Sequence, residues 1–279
     1  PILAAGALAG AAVAVEYTLA LVALGCLVAL VRARPRAVPA FLVGALPFAV
    51  LLGAYNTAVH GAPWANAYSE KDAFADRPSI VGVPDLGTGL EVLVGSRGLL
   101  LLTPVVLVAL VGAVQLLRAR GDERDPDLRR WAVAALSFLG ALWLVQSGWP
   151  NPWGGEMPGP RYLVPALPFL VVPLAWIWPR WRLLSTASAV VGGLVMGLGV
   201  LTVHLVPLGT QVVPSYLDNL DHYGVTPTTF TLALGPAGWI VHAALVLAAV
   251  VHLRRVSGST APLAAGPAPS EQGDRTSAS

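Results

Sequence analysis

The chain alternates long apolar runs with polar connections. The runs cover residues 2–31, 37–59, 98–117, 131–148, 162–178, 184–206 and 236–253. A helix rises about 1.5 Å per residue and the hydrocarbon core of a bilayer is about 30 Å thick, so apolar runs near this length predict transmembrane helices. The first run is too long for a single upright span, since about 30 residues reach about 45 Å. It predicts either one long tilted helix or a break near Glu16, with residues 18–34 crossing alone and 1–15 ending an earlier helix. The pattern therefore predicts an all-α, polytopic helical transmembrane protein with about seven or eight spans.

The polar connections differ in kind. The stretch from His60 to Arg97 is long, with scattered Gly and Pro, and reads as a structured loop with one or two short interfacial helices, 89–94 foremost. Residues 148–161 and 207–234 form two further loops, the latter without Lys or Arg. Residues 1–256 make a transmembrane domain, and 257–279, rich in Ser, Gly, Pro and Ala, read as a disordered tail. Pro47 is an expected kink, and Gly192, Gly193, Gly197 and Gly199 predict close helix contact.

Charge sets the orientation. One set of connections carries Arg32, Arg34 and Arg36, then Arg118, Arg120, Arg124, Arg129 and Arg130, then Arg180 and Arg182, then Arg254 and Arg255. The alternate set carries only Lys71, Arg77, Arg97 and Arg161. The positive-inside rule puts the Arg-rich connections and the C-terminus in the cytoplasm, and loops 60–97, 148–161 and 207–234 on the outer face. Trp176, Trp178 and Trp181, interleaved with Arg180 and Arg182, form an interfacial aromatic belt.

Composition agrees. Hydrophobic residues make up 56% and charged residues 11%, against about 25% charged in soluble domains. A net charge of +2 argues against nucleic acid as a partner. The single cysteine, Cys26, sits in an apolar run and forms no internal disulfide or metal-ligand spacing. The five histidines lie on separate segments; His204 and His242 read as helix-packing residues, and Asp218, Asp221 and His222 as a solvated loop before a metal or acid/base cluster. No metal set is expected. The chain opens at Pro1 in an apolar run, and the expectation is that an earlier part of the natural protein precedes it.

The segment Trp153-Gly154-Gly155-Glu156-Met157-Pro158-Gly159-Pro160-Arg161-Tyr162 brings an acid, a cation, aromatics and glycines together between two apolar runs. Arg161 reads either as a headgroup anchor or as a phosphate clamp, because a planar guanidinium matches phosphate oxygens and a Gly-rich approach exposes backbone N–H groups. Glu16 is the acid set within an apolar run, where an ionisable group costs about 3 kcal/mol. It reads either as a functional acid or as an interfacial residue at a helix break. Tyr55, Glu70 and Lys71 belong to an aromatic and carboxylate-rich stretch of the kind that binds sugars and also populates membrane interfaces.

Four segments, "GALAGAAVAVEYTLALVAL" (6–24), "YNTAVHGAPWANAYS" (55–69), "GSRGLLLLTPVVLVAL" (95–110) and "WGGEMPGPRYLVPALPF" (153–169), in this order and spacing, resemble bacterial GT-C-type, polyprenyl-phosphate-dependent glycosyltransferases. The resemblance implies an enzyme of the bacterial plasma membrane. It would transfer a sugar from a polyprenyl-phosphate carrier to a lipid, glycan or protein acceptor on the outer face. It also implies a catalytic acid in a first outer loop lying before this chain, so the general base is not assigned. Arg161 is implied as a contact to the carrier phosphate, and Glu16, Tyr55, Glu70, Lys71, Trp153 and Glu156 as lining of the outer cavity. The leaving phosphate needs positive charge or a divalent metal. The rival readings are a transporter or permease, for which internal repeats and paired broken helices are expected, and a non-catalytic membrane protein of the same fold.

Overall fold

Within lipid every backbone N–H and C=O must find a partner inside its own segment, and the helix is the solution open to an apolar run. The computed structural model describes residues 1–66, 82–120, 125–149, 151–203, 205–207 and 209–259, and among them all regular elements are helical. They are α1 Ile2–Val15, α2 Ala20–Ala33, α3 Val38–His60, α4 Leu86–Val94, α5 Leu99–Leu102, α6 Val105–Arg118, α7 Pro126–Ser147, α8 Leu167–Ile177, α9 Arg182–Leu201, α10 Val212–Tyr223, α11 Thr229–Leu234 and α12 Gly238–Ser259, with short 3₁₀ turns between some of them.

Four helical stretches among the described residues are long and apolar enough to cross a membrane: Pro35–His60, Pro126–Ser147, Arg182–Leu201 and Phe230–Ala248. The bent pair Leu86–Leu102 and Val105–Arg118 makes up to five. This is fewer than the pattern predicts, and the shortfall has three local causes. At Glu16 the backbone turns extended (φ −146, ψ 112) and ends α1; the carboxylate accepts from the Thr18 N–H at 3.5 Å and the Thr18 hydroxyl at 3.3 Å. The first run is thus broken at Glu16, the second of the two geometries its length allows. At Thr103–Pro104 proline removes a helical donor and bars its predecessor from helical geometry, and the two halves meet at 100°. At 161–166, with Pro165 inside, the chain winds as a 3₁₀ helix before α8 begins. Pro47, by contrast, stays inside a continuous α3.

One stretch read as a loop holds more structure than the pattern shows. The connection 207–234 contains α10 and α11 rather than irregular chain. In α10, Val212, Ser215 and Tyr216 are buried on one face while Asp218, Asp221 and His222 point outward, a helix too polar to announce itself by apolar run. The expected helix at 89–94 is present as α4, and Asp85 caps it through the Thr88 N–H at 2.7 Å. The tail beyond Ser259 lies outside the described residues.

The chain divides into two compact units, Pro1–Gly224 and Val225–Ser279. In the first, α1 packs along α3 at glycine contacts: a Cβ on Gly6 would collide with the Phe41 carbonyl, and one on Gly44 with that of Leu3. The main core joins α4, α6, α7 and α8 through Val92, Val106, Ala135, Leu142 and Leu170, closed by Trp153 and Leu163 from the segment between α7 and α8. Gly112 of α6 meets the Pro173 carbonyl of α8, 2.5 Å from an added Cβ. Of the four glycines expected to allow close contact in α9, Gly192 meets Leu102, Thr103 and Pro104 at the bend and Gly199 meets the Tyr216 ring, whereas Gly193 and Gly197 face open space. In the second unit Thr228 and Thr231 form a capping box at α11. His242 packs between Phe230 (5.2 Å) and Trp239 (5.3 Å), with Nδ1 3.0 Å from the Gly238 carbonyl, the packing role expected for it.

Candidate functional site

The segment after α7 is pinned at both ends. Gly148 ends the helix, and its carbonyl accepts from the Gly82 N–H at 2.7 Å. Gln146, fully buried at the end of α7, donates through Nε2 to the Pro152 carbonyl. Asn151 then makes a tight turn: its side-chain oxygen accepts from Trp153 N–H at 3.3 Å and its carbonyl from Gly154 N–H at 3.2 Å. Trp153 enters the core, so the chain must reverse at once. It does so through Gly154 (φ 74) and Gly155 (φ 104), a region closed to most side chains.

Arg161 returns to this turn from the far side. A Cβ at Gly154 would sit 2.7 Å from Arg161 Nε, so the guanidinium stem lies directly over the glycine. Arg161 Cζ is 4.8 Å from the centroid of the Tyr162 ring, and Nη2 donates to the Tyr162 hydroxyl at 3.3 Å. The Trp149 ring stacks on Tyr162 at 4.8 Å. Arg161 itself is exposed. The ion pair found among the described residues is Arg130–Asp127, elsewhere in the fold, so no described carboxylate neutralises Arg161. The N–H groups of Gly155 and Glu156 donate to no oxygen of the described residues. Together these are an exposed cation, two open backbone donors and an aromatic wall, a set that suits an anion carrying an apolar tail.

Beside the turn lies a second arginine of opposite character. Arg97, only 2% exposed, sits between α4 and α5. Its Nε donates to the Thr210 carbonyl at 3.2 Å, Nη1 to the Met157 carbonyl at 3.3 Å and Nη2 to the Pro207 carbonyl. The Glu156 carbonyl accepts from Val206 N–H at 2.9 Å, tying the same two segments. Tyr216 of α10 is fully buried in the adjoining cluster with Leu102, Val206 and Val212. Burial pushes its hydroxyl pKa up, against the opposing pull of the Arg97 charge.

The candidates drawn from the sequence separate into groups. Trp153, Glu156 and Arg161 share the turn, Trp153 as a core anchor and Glu156 with its side chain exposed. Glu16 and Tyr55 have other partners. Glu16 is half-buried and engages Thr18, while Tyr55 is exposed and edge-on to His60 at 6.3 Å. Next to them Tyr17 donates to Asn56 Oδ1 at 3.3 Å, and Asn56 Nδ2 to the Pro63 carbonyl at 3.2 Å. Glu16 thus acts as the cap of a helix break. Glu70 and Lys71 lie outside the described residues. No three His, Cys, Asp or Glu side chains among the described residues converge as a metal set.

Sequence reasoning passed over Arg97, Tyr216 and Trp149. Arg97 carried one signal, a lone cation set tightly between Val94 and Leu99. For Tyr216 and Trp149 nothing in the linear pattern indicated a role. Comparison with known proteins returns no matching family model, no matching curated protein and no matching solved structure.

Proposed function

We propose that this chain belongs to a membrane transferase that takes a sugar from a polyprenyl-phosphate carrier and passes it to a lipid, glycan or protein acceptor on the outer face, with the Gly154–Arg161 turn holding the carrier phosphate. The observation that carries the reading is the exposed Arg161 guanidinium, braced by Gly154 and Tyr162 and free of any described carboxylate. A cation held in place by its surroundings loses little freedom on binding, and its fork matches two phosphate oxygens. Gly155 and Glu156 N–H groups supply further donors. The half-buried Trp149, stacked on Tyr162, offers apolar surface to the first isoprene units. In this reading the three short apolar helices, Ile2–Val15, Tyr17–Ala33 and Arg161–Ile177, complete spans, for a total of about seven or eight. The alternation of Arg-rich connections supports a cytoplasmic C-terminus.

The test titrates farnesyl phosphate, and separately inorganic phosphate, into the full chain in phosphatidylcholine nanodiscs. A charge-assisted contact is worth about 1.5–3 kcal/mol, so Arg161→Ala should weaken farnesyl phosphate binding about 10- to 100-fold. Equal affinity for wild type and variant rejects the clamp. Inorganic phosphate binding as tightly as the prenyl ester rejects the lipid carrier and retains only an anion site. Transfer of a labelled sugar from its polyprenyl phosphate to an acceptor then tests the reaction.

The 100° break between Leu86–Leu102 and Val105–Arg118 favours a second reading, a permease, since broken helices line transport sites. Substrate-driven counterflow in proteoliposomes, retained in Arg161→Ala, would support it over the transferase.

A further inference from the structure

Arg97 is almost fully buried, yet no described carboxylate pairs with it. Burying an unpaired cation is costly unless its donors are met, and here they are met by three main-chain carbonyls. The three come from two chain segments, Met157 on one side and Pro207 and Thr210 on the other. Glu156 and Glu91 act on the cation electrostatically from beyond ion-pair distance. A planar guanidinium, with five donors in a wide fixed fork, matches three carbonyls spread over two segments better than the three donors of a compact ammonium. The segment carrying Met157 is also the one that carries the glycine turn. It is fixed at Trp153 by the core and at Glu156 and Met157 by Val206 and Arg97. A Cβ at Gly159 would press on Leu102 Cδ1 at 2.7 Å, so the same segment rests on the helix that follows Arg97.

We infer that Arg97 is a positioning residue for the Gly154–Arg161 turn: its fork to the Met157, Pro207 and Thr210 carbonyls holds the open N–H groups of Gly155 and Glu156 in register with the Arg161 guanidinium. The role rests on the phosphate reading of that turn. Arg97 touches no ligand in it; it acts through Arg161 and the glycines.

The test uses the full chain in phosphatidylcholine nanodiscs with Arg97→Lys, Arg97→Met, Arg161→Ala and the double variant Arg97→Met with Arg161→Ala. Arg97→Lys keeps the charge and loses the fork. Both Arg97 variants should weaken farnesyl phosphate binding about tenfold. Backbone hydrogen exchange should rise together in the peptides holding Met157 and Thr210 and stay unchanged along α1 and α3. The double variant should lose clearly less than the sum of the two single losses, because a residue acting through another is non-additive with it. Wild-type affinity in Arg97→Lys overturns the inference in favour of a simple charge effect. Additive losses in the double variant overturn it as well. If Arg161→Ala leaves binding unchanged, the phosphate reading fails and the inference falls with it; if Arg161→Ala weakens binding but the Arg97 variants do not, only the inference fails. Should Arg97→Met not fold, Arg97→Lys carries the exchange and affinity measurements alone.

Discussion

Gly154 lies beneath the side chain of Arg161, with 2.7 Å between the position of an added Cβ and Arg161 Nε. The adjacent Gly155 has open space around the same position. Both have positive φ. The pair separates backbone strain from direct displacement of the arginine. Gly154→Ala and Gly155→Ala should each destabilise the turn by about 1–3 kcal/mol. Only Gly154→Ala should also push Arg161 off the Tyr162 ring and weaken farnesyl phosphate binding, by about tenfold for the loss of one charge-assisted contact. Titration of both variants in nanodiscs checks this, and an equal effect at the two positions would contradict it.

Helix contact in α1 and α3 depends on specific glycines. Gly6→Ala and Gly44→Ala put a methyl into the backbone of the facing helix, and overpacking of this kind costs about 1–3 kcal/mol. Gly193→Ala and Gly197→Ala in α9 meet nothing and should change stability by less than about 0.5 kcal/mol, or raise it slightly through helix propensity. Thermal unfolding midpoints of the four variants in one detergent give the comparison.

Trp143 locks α4 to α7. Its Nε1–H donates to the Gly89 carbonyl at 2.8 Å, and a Cβ on Gly89 would lie 2.8 Å from the indole. Trp143→Phe removes the donor and should cost about 1 kcal/mol beyond its change in packing. Gly89→Ala should lift α4 away from α7. Faster hydrogen exchange along 86–94 in both variants, with α1 and α3 unchanged, is the expected result.

Asp85 gives α4 a pH dependence. The Thr88 N–H, and then the Thr88 hydroxyl, bond its carboxylate and hold its pKa below the ordinary value. The cap therefore contributes its full stabilisation above the unfolded pKa of about 3.9 and loses it as pH falls through the lower folded value. Protection of the 86–94 amides should drop on acidification through that window in the wild type. In Asp85→Asn the cap does not titrate, and that drop should vanish.

Much of the helical layout was legible in the chain. The break at Glu16 was one of two geometries open to a run about 45 Å long facing a core of about 30 Å, and the structure chose it over a single tilted helix. The helix at 89–94 followed from its position and composition, and Asp85 with Thr88 supplies its start. The packing role of His242 followed from its place in an apolar run. What was not legible depends on contacts between distant residues. Helix α10 was missed because seven of its twelve residues are exposed and its buried face shows only through Gly199 and Arg97. The stripe in α9 misled because glycine spacing shows where close contact is allowed, and only the neighbouring chain decides which glycines are met.

The candidate site divides along the same line. By itself the sequence determined that Trp153, Glu156 and Arg161 share one short segment, since residues so close in the chain cannot lie far apart. It also determined that the chain is an all-helical membrane protein, since long apolar runs leave no other way to satisfy the backbone in lipid. Only the tertiary structure decided that Glu16 and Tyr55 engage Thr18 and His60. Only the tertiary structure made Arg97 a buried fork whose acceptors include Thr210, 113 residues along the chain. A buried cation takes its partners from whichever carbonyls the packing delivers, and no local pattern records which those are.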